Sequence, residues 1–300
     1  MNGSPSAPIV AAIVVNWNGG RDTVRAVRSL LDSGYPALRI VLVDNGSRPT
    51  DLAAVRAECP RVEFLELAEN HGFGRAVNLA ARTAFGLGAE YLLLFNNHAL
   101  LPAGVPVIER LVGELKRSPA VGAAGPVIVD DDDRLVVQAA GIALRPSFPA
   151  PRGLGRGLPY AAAGKQTFRF DFLQGSCLLV RGSAFRQLGG FDPDFFFYAE
   201  DADFVMRLRA AGFETVLSSD VYVRHRKSAS IVAGSVNQTY ASVRSLLIFF
   251  KKHARRRDFV PGAATLIGMS FVFALARRQP LPVARAWVDF LTGRWGGHYR

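Results

Sequence analysis

Four short apolar runs, residues 9–15, 39–43, 62–67 and 90–95, alternate with segments of helical period at 21–32, from about 51, at 75–86 and at 103–117, and a fifth run follows at 121–129. Strands joined through helices lie parallel in one sheet, because such a crossover returns the chain to the edge it left. The alternation therefore predicts an α/β chain, a mostly parallel sheet with helices on both faces. Thr50 is placed to cap the second helix. Each of the first four runs stops at polar residues: Asn16 and Asn18, then Asp44-Asn45-Gly46-Ser47, then Asn70-His71-Gly72, then Asn96-Asn97-His98. Open parallel sheets bind ligands beyond the carboxyl ends of their strands. Four polar endings along one edge predict a site there.

The second half is organised differently. Asp130–Asp133 reads as a solvated turn, and residues 146–164, rich in Pro, Gly and Ala, as a long loop. Order resumes at 170–181, with helices at 183–188 and 200–211 and strands at 215–217 and 221–223. Two cysteines, Cys59 and Cys177, stand far apart without CxxC spacing. That pattern argues against a disulfide framework or structural zinc and fits a reducing compartment. The stretch MNGSPSAPIVAAIVVNW has no basic leader and reads as a first strand rather than a signal peptide.

Charge separates the chain into two parts. Residues 226–300 carry 13 Lys and Arg against two acids, Asp258 and Asp289, a surplus that equals the whole net charge of +11. The tail also holds SLLIFFKKHARRR and FVPGAATLIGMSFVFALARR. Apolar segments between basic clusters suit an anionic membrane surface. Nucleic acid is the weaker partner, since aliphatic rather than stacking aromatic residues interleave the charges. The apolar run 259–276 has 18 residues, short for a span, and contains Pro261, so an interfacial or docking helix is expected.

Neither GxGxxG after the first strand nor a Walker loop is present. HGFGRAVNLA places Gly72 and Gly74 before a helix with Arg75 in its first turn, a weak anion-seat signal. Asp44 could accept hydrogen bonds from a base or ribose, or merely cap a turn. In GGFDPDFFFYAEDADFVMRLRAAGF, aromatics precede Glu200, Asp201 and Asp203. Asp201 falls on the helix face of Val205 and Leu208, which suggests a carboxylate of raised pKa suited to general-base work. Acids at a helix start explain Glu200 and Asp203 as well, and Asp203 with Arg207 reads as a surface pair. His225 ends VYVRH, as a metal ligand or a hydrogen-bonded surface residue.

The ordered set IVVNWNGG, VLVDNGS, ENHGFGRAVNLA, LLLFNNHALLPAG, LQGSCLLVRGSAFRQLGG, FDPDFFFYAEDADFVMRLRAAGF and VYVRHRKSAS resembles the family 2 glycosyltransferases, in particular their bacterial rhamnosyltransferase-like branch. The match spans about 9–230. The resemblance implies a GT-A fold over 1–230, with a Rossmann-like nucleotide-binding half at 1–130 and an acceptor and catalytic half at 131–230, then a helical basic region at 231–300. It implies inverting transfer from a nucleotide diphosphate sugar, dTDP-rhamnose or a UDP-sugar, to a hydroxyl of a lipid-linked or polysaccharide acceptor in cell-wall or surface glycan synthesis. The enzyme would be cytoplasmic, peripheral at the inner face of the membrane. Asn16, Asp44, Asn70, Arg75, Asn96 and Asn97 would hold the nucleotide sugar and Gly175 and Ser176 the sugar or acceptor cleft. Asp201, beside Glu200, would be the base, with a divalent metal, Mn2+ or Mg2+, at the diphosphate. His225 resembles a family metal ligand. Relatives usually place an aspartate where this chain has His98. An imidazole accepts Mn2+ but suits Mg2+ poorly. Three expectations follow: a Mn2+ site of His98 and His225, catalysis with little metal, or a catalytically impaired nucleotide-sugar-binding partner in a glycan-assembly complex.

Overall fold

A computed structural model describes residues 7–145, 148–163, 168–226, 235–254 and 259–295. In chain order its elements are β1 Val10–Asn16, α1 Gly20–Leu31, β2 Leu38–Asn45, α2 Pro49–Glu58, β3 Glu63–Leu67, α3 Phe73–Gly86, β4 Tyr91–Asn96, β5 Ala99–Leu100, α4 Val107–Arg117, β6 Val121–Asp130, β7 Val137–Ala139, β8 Ile142–Arg145, β9 Phe148–Gly153 and α5 Tyr160–Ala163. There follow β10 Cys177–Arg181, α6 Gly182–Gln187, α7 Glu200–Ala210, β11 Glu214–His225, α8 Val236–His253, α9 Phe259–Ala276 and α10 Pro280–Leu291.

The main sheet runs β3-β2-β1-β4-β10-β6-β11-β5, with β7 added beside β6. The first four strands are parallel, and β11 is parallel to β6. β10 enters antiparallel between β4 and β6, so the second half of the sheet is mixed. Both faces are covered. Val10, Ala12 and Val14 pack under α1 and α4 with Val24, Val27, Leu30, Ile108 and Leu111. Ala11 and Ile13 pack on the other face with Ala76, Val77, Phe185, Phe204 and Leu208 of α3, α6 and α7. Two buried faces explain why β1 and β4 are continuous apolar runs rather than alternating ones.

Register aligns the polar endings. Asn16 lies beside Asp44, Val15 beside Asn96, and Asn45 beside Leu67. The carboxyl edge is therefore a row of carboxamides and a carboxylate at one level.

Several expectations are corrected. α4 begins at Val107 rather than 103, because Ala99 and Leu100 pair with His225 and Arg224 as an added strand. Thr50 does not cap α2; Pro49 opens it, needing no N–H there, with Arg48 at the cap position. The loop expected at 146–164 holds β9, paired with β8, and α5; residues 146, 147 and 164 lie outside the described residues. Strands 215–217 and 221–223 are one strand, β11, with an irregularity between Ser218 and Tyr222. Asp203 is not at the surface. It is buried, with Arg207 at 2.8 Å and His253 of α8 at 2.8 Å.

That contact ties the tail to the sheet. α8 packs Ile248 and Phe249 into the second core and turns Tyr240, Val243, Leu247 and Phe250 to Leu266 of α9 and Val283 and Ala286 of α10. Lys252 pairs with Asp192 and Asp194, and the Ser245 hydroxyl donates to the Phe197 carbonyl.

Candidate active site

The opening of the site is a relay of hydrogen bonds across three strand ends. Asn16 Nδ2 donates to Asp44 Oδ1 (2.8 Å), and Asn16 Oδ1 accepts from the Thr23 hydroxyl (2.6 Å). Thr23 Oγ1 accepts from Asn97 Nδ2 (3.1 Å), and Asn97 Oδ1 lies 2.9 Å from His98 Nδ1. A carboxamide oxygen can only accept, so His98 carries its proton on Nδ1 and its lone pair on Nε2. Gly19 is required here: a Cβ would collide with the side chains of Asn97, Thr23 and Asn16. Asn16 and Asn97 are thus parts of the scaffold that orients His98. Burial lowers the His98 pKa to about 4, so its ring is neutral at neutral pH.

A second group lies beside it. Asn45 Nδ2 donates to Asn70 Oδ1 and to the Gly72 carbonyl, while Asn45 Oδ1 accepts from His71 N. Asn45 was not singled out from the sequence, although it sits in the same VDNGS ending. Gly72 has φ 81° and lies against the Phe196 carbonyl, which accepts from Phe73 N at 3.1 Å. That carbonyl covers the start of α3. Arg75 is spent on the Pro193 carbonyl (3.1 and 3.3 Å) and does not line the cavity described below.

Two successive residues in the left-handed region, Tyr198 (φ 69°) and Ala199 (φ 63°), lead into α7. Such backbone is costly for residues with a Cβ and is held where surroundings demand it. It delivers Glu200 inward, 8% exposed, and Asp201 toward Gly175. Asp201 Oδ2 accepts from Gly175 N and Oδ1 from Ala202 N, both at 2.8 Å. A Cβ at Gly175 would stand 2.8 Å from the Cβ of Asp201, so only glycine allows this approach. Burial, then the Asp201 charge, pushes Glu200 up to about 8. Burial also raises Asp201, against the two backbone donors that favour its charged form. Of the two, Asp201 is the carboxyl whose oxygens both accept backbone hydrogen bonds, which favour its charged form. Glu200 Oε2 and the buried Ser176 hydroxyl have no hydrogen-bond partner among the described residues. The Ser176 carbonyl accepts from Asn96 N, which places Asp201 next to the strand-end row.

His225 comes to the same edge from β11. Its ring centroid is 4.7 Å from that of His98, Gln138 Oε1 lies 3.1 Å from its Nδ1, and Asn96 Nδ2 lies 3.5 Å from its Nε2. The pairing of two histidines 127 residues apart is set by β5, which brings Ala99 beside His225. Among the described residues no three His, Cys, Asp or Glu side chains are grouped to hold a metal. Two imidazoles without a carboxylate are a poor set for Mg2+; Mn2+ accepts imidazole more readily but also favours oxygen ligands.

Part of this set lines a cavity of about 560 Å³, whereas Asn16, Asp44, Gly175, Ser176, Glu200, Asp201 and His225 are not among its lining residues. Asn45, Asn70, Asn96, Asn97 and His98 form its polar wall, and Trp17, Phe73, Phe196 and Phe197 its aromatic one. The opposite wall comes from the tail: Ser235, Asn237, Tyr240, Ala241 and Arg244. The sequence reading assigned no site residue to this segment, and a lone arginine in SVRSLLIFF carries no local signal.

Residues 11–176 match the family model described as Glycosyl transferase family 2, and residues 108–292 match Glycosyl transferase family group 2. The chain is 30% identical over 269 residues to an N-acetylglucosaminyl-diphospho-decaprenol L-rhamnosyltransferase of Mycobacterium tuberculosis, covering 80% of this chain and 83% of that protein. It is 26% identical to an O-antigen biosynthesis protein, RfbC, of Myxococcus xanthus, covering 82% of this chain and 20% of that protein. Among solved structures, a mannosyltransferase from Pyrobaculum calidifontis in complex with GDP-Man and Mn2+ has TM-score 0.60 at 19% identity, covering 96% of this chain and 88% of that chain. S. aureus TarS 1-349 has TM-score 0.58 at 15% identity, covering 94% and 79%. Both share the GT-A fold seen here.

Proposed function

The chain belongs to glycosyl transferase family 2 and is a glycosyltransferase; from that premise we propose that it inverts and transfers a sugar, rhamnose from dTDP-rhamnose first among the candidates, to a hydroxyl of a lipid-linked N-acetylglucosamine. The observation that carries the chemistry is Asp201, clamped by Gly175 N and Ala202 N beside a Glu200 that burial pushes up to about 8. The acceptor oxygen gives its proton to Asp201 and forms a bond to the anomeric carbon as the bond to the diphosphate oxygen breaks. Inversion follows from attack opposite the leaving group. The rhamnosyl donor and diphospho-lipid acceptor come from the similarity to the mycobacterial enzyme.

His98 and His225 would hold a divalent cation, which when bound neutralises charge on the departing diphosphate. The relay from Asp44 through Asn16, Thr23 and Asn97 orients the His98 ring for that task. Asn45 fixes Asn70 through the Asn70 Oδ1, which leaves the Asn70 Nδ2 to meet the nucleotide.

The membrane is the proposed partner of the tail, with the enzyme lying on its cytoplasmic face. α9 has mean hydropathy 1.9 with 17% of its residues buried, and Val260, Ile267, Phe271, Val272 and Leu275 face outward. Leu281 and Leu291 of α10 extend this surface. Its Gly262, Leu266 and Ser270 are packed toward α8 and α10, and Trp287 Nε1 donates to Ser270 Oγ, so α9 is suited to lie on a bilayer rather than cross it.

The test is transfer from dTDP-rhamnose and UDP-sugars to a polyprenyl-diphosphate N-acetylglucosamine, with Mn2+ or Mg2+. Turnover lost in Asp201→Asn supports the reading. Nucleotide binding with no turnover by any donor supports the impaired-partner alternative that His98 motivates.

A further inference from the structure

We propose that Arg244 is a phosphate seat: the cation of the cavity that receives a phosphate group of a substrate diphosphate. The inference rests on the glycosyltransferase reading and names a residue of its binding site. Arg244 is 1% exposed, and its Nη1 donates to the Tyr240 hydroxyl at 2.7 Å. Its Nε and Nη2 have no hydrogen-bond partner among the described residues, and the side chain lines the cavity. A guanidinium presents five donors and cannot give up its charge. Burying it with two donor nitrogens unsatisfied is strongly unfavourable unless a ligand completes it.

Among the described residues no carboxylate touches it. Tyr240 donates onward to Asp289, which already accepts from two guanidiniums, Arg285 and Arg294. The local balance is positive. The other charged residue of the lining, Glu69, is solvent-exposed and screened, whereas Arg244 is not. Ser235 and Asn237, at the start of α8, line the same cavity and add the positive end of an 18-residue helix. Nε and Nη2 form one edge of a planar fork, which matches two oxygens of a phosphate group. Arg75, the arginine expected from the sequence to meet the diphosphate, donates to the Pro193 carbonyl and is not among the lining residues. Arg244 is the cation on the lining itself.

Two diphosphates fit this chemistry, that of the nucleotide donor and that of a lipid-linked acceptor, and binding to the full chain distinguishes them. Isothermal titration in EDTA compares wild type with Arg244→Met, using dTDP against thymidine and farnesyl diphosphate against farnesol. The expected result is about tenfold or greater loss of affinity for one diphosphate, with its phosphate-free partner unchanged. Loss with dTDP assigns the donor; loss with farnesyl diphosphate assigns the acceptor. Equal affinities of both proteins for both diphosphates overturn the proposal. So does a lowered unfolding midpoint with ligand affinities intact, which makes Arg244 structural. If the methionine variant does not fold, Arg244→Lys replaces it: a loss of about threefold or more is expected, and no loss overturns the seat. Transfer assays on wild type separate the two claims, since turnover with an unaffected Arg244 variant removes the seat and keeps the enzyme. Wild type that binds neither diphosphate, in EDTA or with Mn2+, overturns the seat, and transfer assays alone decide the reaction.

Discussion

The strand-end edge and the tail helix α8 form opposite walls of one cavity by opposite means. On the edge nearly every polar group is spoken for: Asp44, Asn16, Thr23, Asn97 and His98 satisfy one another in sequence. On α8, Arg244 is buried with two donor nitrogens that have no partner among the described residues. The first wall is preorganised and internally satisfied, built to hold a ring or carboxamide in one orientation. The second stores an electrostatic demand that only a ligand meets. The charge follows the same division, since residues up to 225 carry as many acids as bases and the tail holds the whole surplus.

The most damaging way to test this division is at the base. Asp201→Asn keeps one of the two backbone hydrogen bonds, since Gly175 N and Ala202 N bond different oxygens and one of these becomes an NH2; the unfolding midpoint is expected to fall modestly while transfer falls about 100- to 10,000-fold. Because Asp201 is raised, it loses its charge as pH falls through a value above that of an ordinary aspartate. The acid limb of kcat/KM is therefore expected above pH 4, where an unperturbed aspartate would place it.

Next comes the joint between body and tail. Asp203 is held below its usual range: burial opposes ionisation, but the His253 hydrogen bond and the Arg207 charge outweigh it. Its depressed pKa stabilises the fold above the unfolded value, and that contribution is lost as pH falls through the folded one. Asp203→Ala strands Arg207 and His253 and is expected to cost about 3 kcal/mol in urea unfolding at neutral pH.

Smaller effects sharpen the two walls separately. His98→Asp adds a hard oxygen donor to the edge. Wild type is expected to respond to Mn2+ and little to Mg2+, and the variant to gain activity with Mg2+ by about tenfold. On the tail, Ile267→Glu with Phe271→Glu places charges on the exposed side of α9. Anionic-liposome binding is expected to fall about tenfold or more, with turnover of a short-chain soluble acceptor unchanged. Turnover that falls in step with liposome binding would join tail and site more closely than the walls suggest.

Much of this was legible in the residue order. Period and strand-end punctuation located β1 to β4 and the edge, because parallel strands of a covered sheet must be apolar throughout and polar only where they stop. The Glu200-Asp201 start of α7 was legible too, from acids at a helix start beside aromatics. Helix period also marked 200–211 but misplaced Asp203, since α8, which buries it, is fifty residues away. The loop expected after β8 became a strand because β8 was there to pair with it.

What the sequence by itself determined is therefore the α/β layering, the level at which four strands end, and a tail of separate charge and apolarity. These depend on spacing within a few residues. Only the tertiary structure decided that His98 meets His225, that Arg75 turns to Pro193, and that Arg244 is buried against the cavity. Each of those depends on partners over a hundred residues apart, or on which face of a helix meets solvent, and burial alone converts an ordinary arginine into an unsatisfied cation.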